Sequence, residues 1–126
     1  MIVLDASALL AFLFVEPGHA RVAEVLSSSC MSSVNFSEVL ARFSRDGKDA
    51  GVVAARLLTG PIEIVPFDEA HALRAAELAP YTRNEGLGLG DRACLALAAM
   101  RGTVALTADR AWGNLAIGVQ VELIRE

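Results

Sequence analysis

Short apolar runs alternate with longer segments of helical periodicity along the whole chain. The apolar runs are typical of buried strands, whereas the segments between them place apolar residues three and four positions apart. The pattern predicts strands at residues 1–4, 30–34, 62–66, 103–106 and 119–124. It predicts helices at residues 7–14, 22–26, 35–45, 50–58, 68–78 and 91–101, with a short turn or helix through Trp112. Strands that are apolar on both faces and joined through helices predict an α/β fold, a three-layer sandwich around a mostly parallel sheet.

Two of the predicted helices carry apolar residues on nearly every side. Residues 7–14 and 91–101 both have this composition, so we expect both helices to be buried all round. The helix at residues 35–45 instead has one apolar stripe, and Glu38 points away from that stripe. Trp112 is expected to be a packing residue. A chain of 126 residues is long enough for one domain, which we expect to span residues 1–126.

The composition indicates a protein with a partner surface. Hydrophobic residues make up 54% of the chain, and this excess predicts apolar surface beyond one core and favours a homodimer. The most apolar stretch, residues 6–15, is far shorter than a bilayer span and no basic segment precedes it, so we expect a cytoplasmic protein without a membrane segment. Cys30 and Cys94 lack metal-ligand spacing and are expected to be reduced core residues, and neither His19 nor His71 is assigned a role.

The charged residues limit the classes of partner. A net charge of −4 argues against a protein that coats duplex nucleic acid through a basic face. Lys48 is the single lysine among 11 basic residues, and arginine favours bidentate contacts with phosphate or carboxylate. Arg92 and Arg110 each follow an acid directly and are candidates for binding substrate phosphates, with Arg42 and Arg45 further along the helix at residues 35–45. Solvated salt bridges are the ordinary alternative for all four.

Four acidic residues occur at the ends of predicted strands or the starts of predicted helices. Asp5 closes the first strand, Glu38 lies in the first turn of the helix after the second, Asp91 opens the last long helix, and Asp109 follows the fourth strand. Ligands of parallel sheets bind beyond the carboxyl ends of the strands. We therefore expect the four side chains to meet at one end of the sheet.

Each acid also has a purely structural explanation. Asp5, Asp91 and Asp109 could be N-caps, and Glu38 could form a capping box with Asn35. Four carboxylates close together, however, repel each other strongly unless a cation lies among them.

A divalent cation is the expected partner of the four acids. The stretches that carry them contain no lysine or histidine, and oxygen ligands suit Mg²⁺ or Mn²⁺. Ser7 and Thr107 could add hydroxyl ligands or orient a water, or could simply bond to the local backbone. The chemistry expected of such a site is metal-assisted cleavage of phosphodiester bonds, in which one carboxylate takes the proton of the attacking water.

Four stretches of the chain resemble the PIN-domain ribonucleases, most closely the VapC toxins of toxin-antitoxin pairs: "IVLDASAL", "SSVNFSEVLAR", "LGLGDRACLALA" and "VALTADRAW". The resemblance implies a single PIN domain with a five-stranded parallel sheet. It also implies a Mg²⁺- or Mn²⁺-dependent endoribonuclease that acts on RNA, forms a homodimer and is inhibited by a cognate antitoxin. The catalytic acids that it implies are Asp5, Glu38, Asp91 and Asp109, with metal at Asp5, Asp91 and Asp109 and supporting hydroxyls at Ser7 and Thr107. The chain lacks the further acid that many relatives carry just after Asp109, so the resemblance does not extend to a second metal ion.

Three alternatives from other classes remain. A response-regulator receiver domain has a similar length and an acidic Mg²⁺ site, but it needs a lysine after its last strand, where this chain has none. A haloacid-dehalogenase-like phosphatase needs an aspartate at the position of Ser7. A non-catalytic binding module of the same fold would leave the four acids without an explanation. The segment "GLGLG" lacks the spacing of a phosphate-binding loop and is interpreted as a lead-in to the helix at residues 91–101.

Overall fold

The computed structural model describes residues 1–126 and contains a five-stranded parallel sheet with helices on both faces. The strands are β1 (Ile2–Leu4), β2 (Ser29–Ser32), β3 (Glu63–Val65), β4 (Ala105–Thr107) and β5 (Val121–Leu123). The helices are α1 (Ala6–Leu13), α2 (His19–Val25), α3 (Ser33–Arg45), α4 (Ala50–Leu58), α5 (Glu69–Thr82) and α6 (Leu89–Arg101), with 3₁₀ turns at Leu26–Ser28, Arg83–Glu85 and Arg110–Asn114. The strand order is β3-β2-β1-β4-β5. The predicted fold class is confirmed.

Side chains of the sheet alternate between two hydrophobic cores. Val3 lies in register with Cys30 on β2 and Ala105 on β4, and these three residues pack with α5 and α6. The next residue along β1, Leu4, faces the other way and packs with α1, α2 and α3. This alternation follows from the two-residue period of a strand. The alternation places one core on each face of the sheet, and a layer of helices covers each core.

The two all-apolar helices differ in how much of their surface is covered. Residues 93–98 of α6 are all buried, but Met100 is 43% exposed, so the burial predicted for residues 91–101 holds only for the middle of the helix. The prediction for α1 was wrong, because the sheet and its neighbouring helices cover only part of its circumference. Phe14 just after α1 is 38% exposed and Val15 is 69% exposed. Phe14 keeps partial cover by stacking on Phe43 of α3, with ring centroids 5.3 Å apart.

Two helices begin two residues earlier than the sequence pattern predicted. The N-cap of α3 is Ser32, whose hydroxyl accepts a hydrogen bond from the Val34 backbone N–H at 3.2 Å. Glu38 therefore lies in the second turn of α3 rather than the first. Helix α6 begins at Leu89 after the N-cap Gly88, so Asp91 is the third residue of the helix and does not open it.

The order of the strands creates a crevice between β1 and β4. From β1 the chain continues to β2 on one side, and it reaches β4 on the other side only after β3, α5 and α6. Such reversals leave an open site beyond the carboxyl ends of the two central strands. Asp5 follows β1 directly and Thr107 ends β4, so both lie at this crevice.

Several residues to which no chemistry was assigned lie in the core. Cys30 and Cys94 are buried free thiols, and Trp112 is 1% exposed, so the packing roles predicted for them are confirmed. His71 is buried on α5. None of the six α-helices combines the length and the apolar character that a membrane crossing requires.

Candidate active site

The four acids singled out in the sequence line one pocket. Asp5, Glu38, Asp91 and Asp109 surround a cavity of about 510 Å³ at the carboxyl end of the sheet. They come from the end of β1, from α3, from α6 and from the loop after β4. The chain therefore brings carboxylates from its two ends and its middle to one place, as the sequence pattern predicted.

Asp5 is the most buried of these acids, with 5% exposure. It occupies the N-cap position of α1, but its side chain caps no backbone N–H. Its Oδ2 instead accepts hydrogen bonds from the Ser7 hydroxyl at 2.7 Å and from the Thr107 hydroxyl at 3.0 Å. The structural explanation for Asp5, a helix cap, is thus not supported.

Ser7 and Thr107 connect Asp5 to the loop after β4. The Ser7 hydroxyl accepts a hydrogen bond from the Ala108 N–H at 2.9 Å, and the Thr107 hydroxyl accepts one from the Asp109 N–H at 3.1 Å. Each hydroxyl therefore accepts from the backbone and donates to Asp5. This network fixes the Asp5 carboxylate relative to Asp109.

Burial makes the charged form of Asp5 costly. Its pKa is raised from 3.8 to about 6, first because burial removes the carboxylate from water, while the Ser7 hydroxyl opposes the rise. The charges of Asp91 and Glu38 raise the pKa further, and the Thr107 hydroxyl lowers it. The charges of two of the other three acids, Asp91 and Glu38, therefore act on the Asp5 carboxyl group.

Asp91 and Asp109 both accept hydrogen bonds from the backbone. Asp91 Oδ2 accepts from the Gly88 N–H at 3.0 Å, and Asp109 Oδ1 accepts from the Ala111 N–H at 3.0 Å. The N-cap explanation therefore holds for Asp109, whereas Asp91 is the third residue of α6 and accepts from the backbone of the N-cap Gly88. Each of these contacts uses one carboxylate oxygen. Burial raises the pKa of Asp91, while the Gly88 N–H opposes the rise and the charge of Asp109 adds to it.

Glu38 does not belong to a capping box. Asn35 lies inside α3 and is completely buried, and its side-chain amide donates to Glu38 Oε1 at 2.9 Å and to the Gly90 carbonyl at 2.8 Å. Glu38 in turn lies against Gly90, where a Cβ atom would overlap the Glu38 carboxylate. Burial raises the pKa of Glu38, the hydrogen bond from Asn35 lowers it, and the charge of Asp91 raises it.

The contacts of Asn35 and Gly90 with Glu38 were not predicted from the sequence. Asn35 was interpreted as the start of α3, and Gly90 as one of several glycines in a lead-in segment. The spacing of three between Asn35 and Glu38 on one helix was the available signal, because residues three apart lie on one face. A single sequence does not indicate that the start of α6 packs against α3.

The arginines that line the pocket are Arg42 and Arg45, rather than Arg92 and Arg110. Arg92 donates to the Leu87 carbonyl at 3.3 Å, and Arg110 lies on the exposed turn after Asp109. Neither lines the cavity. Arg42 pairs with Asp46 at 3.1 Å and its guanidinium lies 4.9 Å from the ring centre of Phe14.

The carboxylates converge without forming a closed cage. No three His, Cys, Asp or Glu side chains lie close enough together to hold a metal ion in the arrangement that the structure shows. The pocket is therefore an open acidic crevice with two arginines at its side. A cation in such a crevice keeps part of its coordination shell as water, which is how proteins usually hold Mg²⁺.

The chain matches the PIN domain family over residues 2–118. The protein belongs to the PIN domain family. This match excludes a receiver domain and a dehalogenase-like phosphatase as the family of the chain. A comparison with curated protein sequences found no match.

Solved structures share the fold of this PIN domain at low sequence identity. A toxin-antitoxin complex from Klebsiella pneumoniae is 16% identical, with a TM-score of 0.76 and 100% of this chain and 99% of that chain covered. VapBC2 from Rickettsia felis, bound to a promoter DNA fragment, is 17% identical, with a TM-score of 0.75 and 98% of both chains covered. VapC20 from Mycobacterium tuberculosis, described as a sarcin-ricin loop cleaving toxin, is 16% identical, with a TM-score of 0.72 and 95% and 99% covered. At these identities the likeness concerns the fold.

Proposed function

We propose that this PIN domain is a Mg²⁺- or Mn²⁺-dependent endoribonuclease that acts as the toxin of a toxin-antitoxin pair. The observation that carries the proposal is the meeting of Asp5, Glu38, Asp91 and Asp109 around one cavity. Four carboxylates in one crevice repel each other, and a chain keeps such an arrangement when a cation offsets the repulsion. The similar structures, which include a toxin that cleaves the sarcin-ricin loop, support the same activity.

The donor set fits a hard divalent cation. Carboxylate and hydroxyl oxygens are the groups that Mg²⁺ and Mn²⁺ prefer, and the pocket offers neither imidazole nor thiolate. Asp5, Asp91 and Asp109 would hold the ion together with waters, since no three carboxylates lie close enough together to bind it alone. The bound ion would supply polarisation of a substrate phosphate and make a neighbouring water more acidic.

The three proposed metal ligands and Glu38 have different tasks. Asp5 Oδ2 accepts hydrogen bonds from two hydroxyls, which limits how far this carboxylate can turn and leaves Oδ1 for the ion. Asp91 and Asp109 each use an oxygen on the backbone, which limits how far their carboxylates can turn. Glu38 is the acid that faces the cavity from α3, and we assign to it the orientation of the attacking water and the acceptance of its proton.

Arg42 and Arg45 are the candidates for contact with the RNA backbone. Both line the cavity together with the acids, and guanidinium groups bind phosphate oxygens in a bidentate manner. Positive groups beside four acids also lower the repulsion that an incoming polyanion meets. This assignment replaces Arg92 and Arg110, which lie outside the cavity lining.

An antitoxin and a second copy of the chain are the proposed protein partners. Large apolar side chains remain exposed on several helices, among them Phe14 and Val15 after α1 and Leu73 and Tyr81 on α5. Exposed apolar area of this extent supports protein–protein contacts. The similar structures described as toxin-antitoxin complexes support an antitoxin as one of these partners.

Cleavage of RNA by the purified chain tests the proposal. We expect cleavage with Mg²⁺ or Mn²⁺, no cleavage with EDTA, and a loss of at least about 100-fold in Asp5→Asn and Asp91→Asn. Glu77→Gln is the matched control, because Glu77 is an exposed acid on α5 outside the cavity. Full activity in both aspartate variants would refute the active-site assignment. Binding of RNA or metal without cleavage would instead favour a non-catalytic binding module.

The toxin role is tested in cells. Expression of this chain alone should arrest growth, and co-expression of the small protein encoded beside it should restore growth. Asp5→Asn should abolish the arrest while the protein accumulates to the same level. If growth is unaffected although the cells contain folded wild-type protein that cleaves RNA, the toxin role is refuted and the ribonuclease activity is retained.

A further inference from the structure

A buried amide joins two of the four acidic segments. The side chain of Asn35 is 0% exposed and donates to Glu38 Oε1 at 2.9 Å and to the Gly90 carbonyl at 2.8 Å. Both partners are acceptors, so the amide nitrogen must face them and the amide oxygen must face away. The two hydrogen bonds therefore connect α3 to the first turn of α6, one residue before Asp91.

The amide oxygen of Asn35 has no partner. Asn35 Oδ1 is buried and accepts no hydrogen bond, an arrangement that costs folding free energy. An apolar residue at this position would avoid that cost. Asn35 thus contributes less to folding stability than a fully paired side chain would, while its amide nitrogen donates to Glu38 and to the Gly90 carbonyl.

Gly90 completes the contact from the other side. A Cβ atom at position 90 would overlap the carboxylate of Glu38, so glycine is the residue that lets Glu38 lie against α6. Gly90 is the second residue of α6 and directly precedes Asp91. The Glu38 carboxylate is consequently held between a donor on α3 and a bare backbone on α6.

We propose that Asn35 is a positioning residue, whose side-chain amide holds the Glu38 carboxylate against Gly90 and thereby fixes Glu38 beside Asp91. The inference rests on the proposed ribonuclease function for its catalytic consequence, whereas the contact itself does not depend on that function. Asn35 does not line the cavity, so it acts through Glu38. Without it, Glu38 is free to turn toward solvent.

Kinetics of a double-mutant cycle test the catalytic consequence. Asn35→Ala should lower kcat for RNA cleavage about 10- to 100-fold, as expected for loss of a partner that orients an active-site group, with KM changed by less than about twofold. In a Glu38→Ala background the same substitution should change cleavage by less than about twofold, because its effect passes through Glu38.

Val39→Ala is the control for lost stability. Val39 is the neighbouring buried residue of α3 and faces the core, so its truncation should lower Tm but leave kcat unchanged at temperatures where the variant is folded. Wild-type kcat in folded Asn35→Ala overturns the proposal. An equal loss from Asn35→Ala with and without Glu38 also overturns it.

A second measurement tests the contact without RNA or metal. In ¹⁵N-labelled protein, Glu38→Ala should shift the side-chain amide resonances of Asn35 and speed the exchange of one of its two protons. The side chains of Asn84 and Asn114, which are exposed, serve as internal controls. Unchanged Asn35 resonances in Glu38→Ala overturn the proposal. If the wild-type protein cleaves no RNA, the proposed function fails, and this spectrum still decides whether Asn35 holds Glu38.

Discussion

Replacing Asp5 by asparagine should stabilise the metal-free protein at neutral pH, although Asp5 is proposed to be essential for cleavage. The Asp5 pKa is raised from 3.8 to about 6, mainly by burial. At about 1.4 kcal/mol per pH unit, this corresponds to about 3 kcal/mol of unfavourable free energy when the carboxylate is charged. Asparagine has nearly the same shape and carries no charge at any pH.

The sign of the effect follows from the direction of the pKa change. A carboxyl group whose pKa is raised by folding favours the folded state fully below its unfolded pKa of 3.8, and this contribution is lost as the pH rises through about 6. Between pH 5 and pH 8 the wild-type protein should lose about 1.4 kcal/mol through Asp5 alone. The asparagine variant does not undergo this loss.

Urea denaturation in EDTA at several pH values measures the difference. The free energy of unfolding of Asp5→Asn minus that of the wild type should rise by about 1.4 kcal/mol from pH 5 to pH 8. Any effect of the asparagine amide on stability that does not depend on pH cancels in this comparison. Glu77→Gln controls for the loss of one negative charge at the surface. A difference that is independent of pH, or that falls as pH rises, would refute the electrostatic reasoning.

Three further outcomes are expected. Gly90→Ala should lower RNA cleavage about 100-fold by displacing Glu38 and should lower Tm, because the buried Asn35 amide loses an acceptor. Gly51→Ala at the same position of α4 should leave cleavage unchanged; equal cleavage in the two variants would contradict the pocket geometry. Mn²⁺ at 100 times its Kd should stabilise the protein by about 2.7 kcal/mol, and a calorimetric scan without any shift would contradict a metal site. Gly18→Ala should lower Tm by about 5 °C or more, because Gly18 has φ +95° and a Cβ atom would lie 2.6 Å from the Ile124 carbonyl oxygen; an unchanged Tm would contradict this packing.

The sequence pattern predicted the arrangement of elements well because local composition determines it. Strands apolar on both faces required helices on both sides, and the structure has them. The ends of elements were less predictable. Helix α3 begins at Ser33 rather than at residue 35, because the Ser32 hydroxyl caps the helix. In the sequence alone, two serines followed by Val34 are equally typical of the end of a strand.

The candidate site was predictable as far as it depends on strand ends. Asp5 and Asp109 follow adjacent parallel strands, so their proximity follows from the order of the elements. The Asn35 side chain, by contrast, finds its partner 55 positions away at Gly90, and only the packing of α3 on α6 creates that contact. Arg42 and Arg45 lie four and seven positions after Glu38 on α3, so their place beside Glu38 at the cavity follows from helical spacing.

The hydrogen bond from Thr107 to Asp5 spans 102 positions of the chain. During synthesis, β1 emerges before its neighbour β4, so Asp5 has no partner hydroxyl from that strand until the 102 positions up to Thr107 have been made. Contacts of such long range form late, because a large loop must close before they are gained. A nascent chain that has not yet reached β4 therefore lacks the assembled acidic crevice. The complete pocket exists in the cell only after β4 has paired with β1.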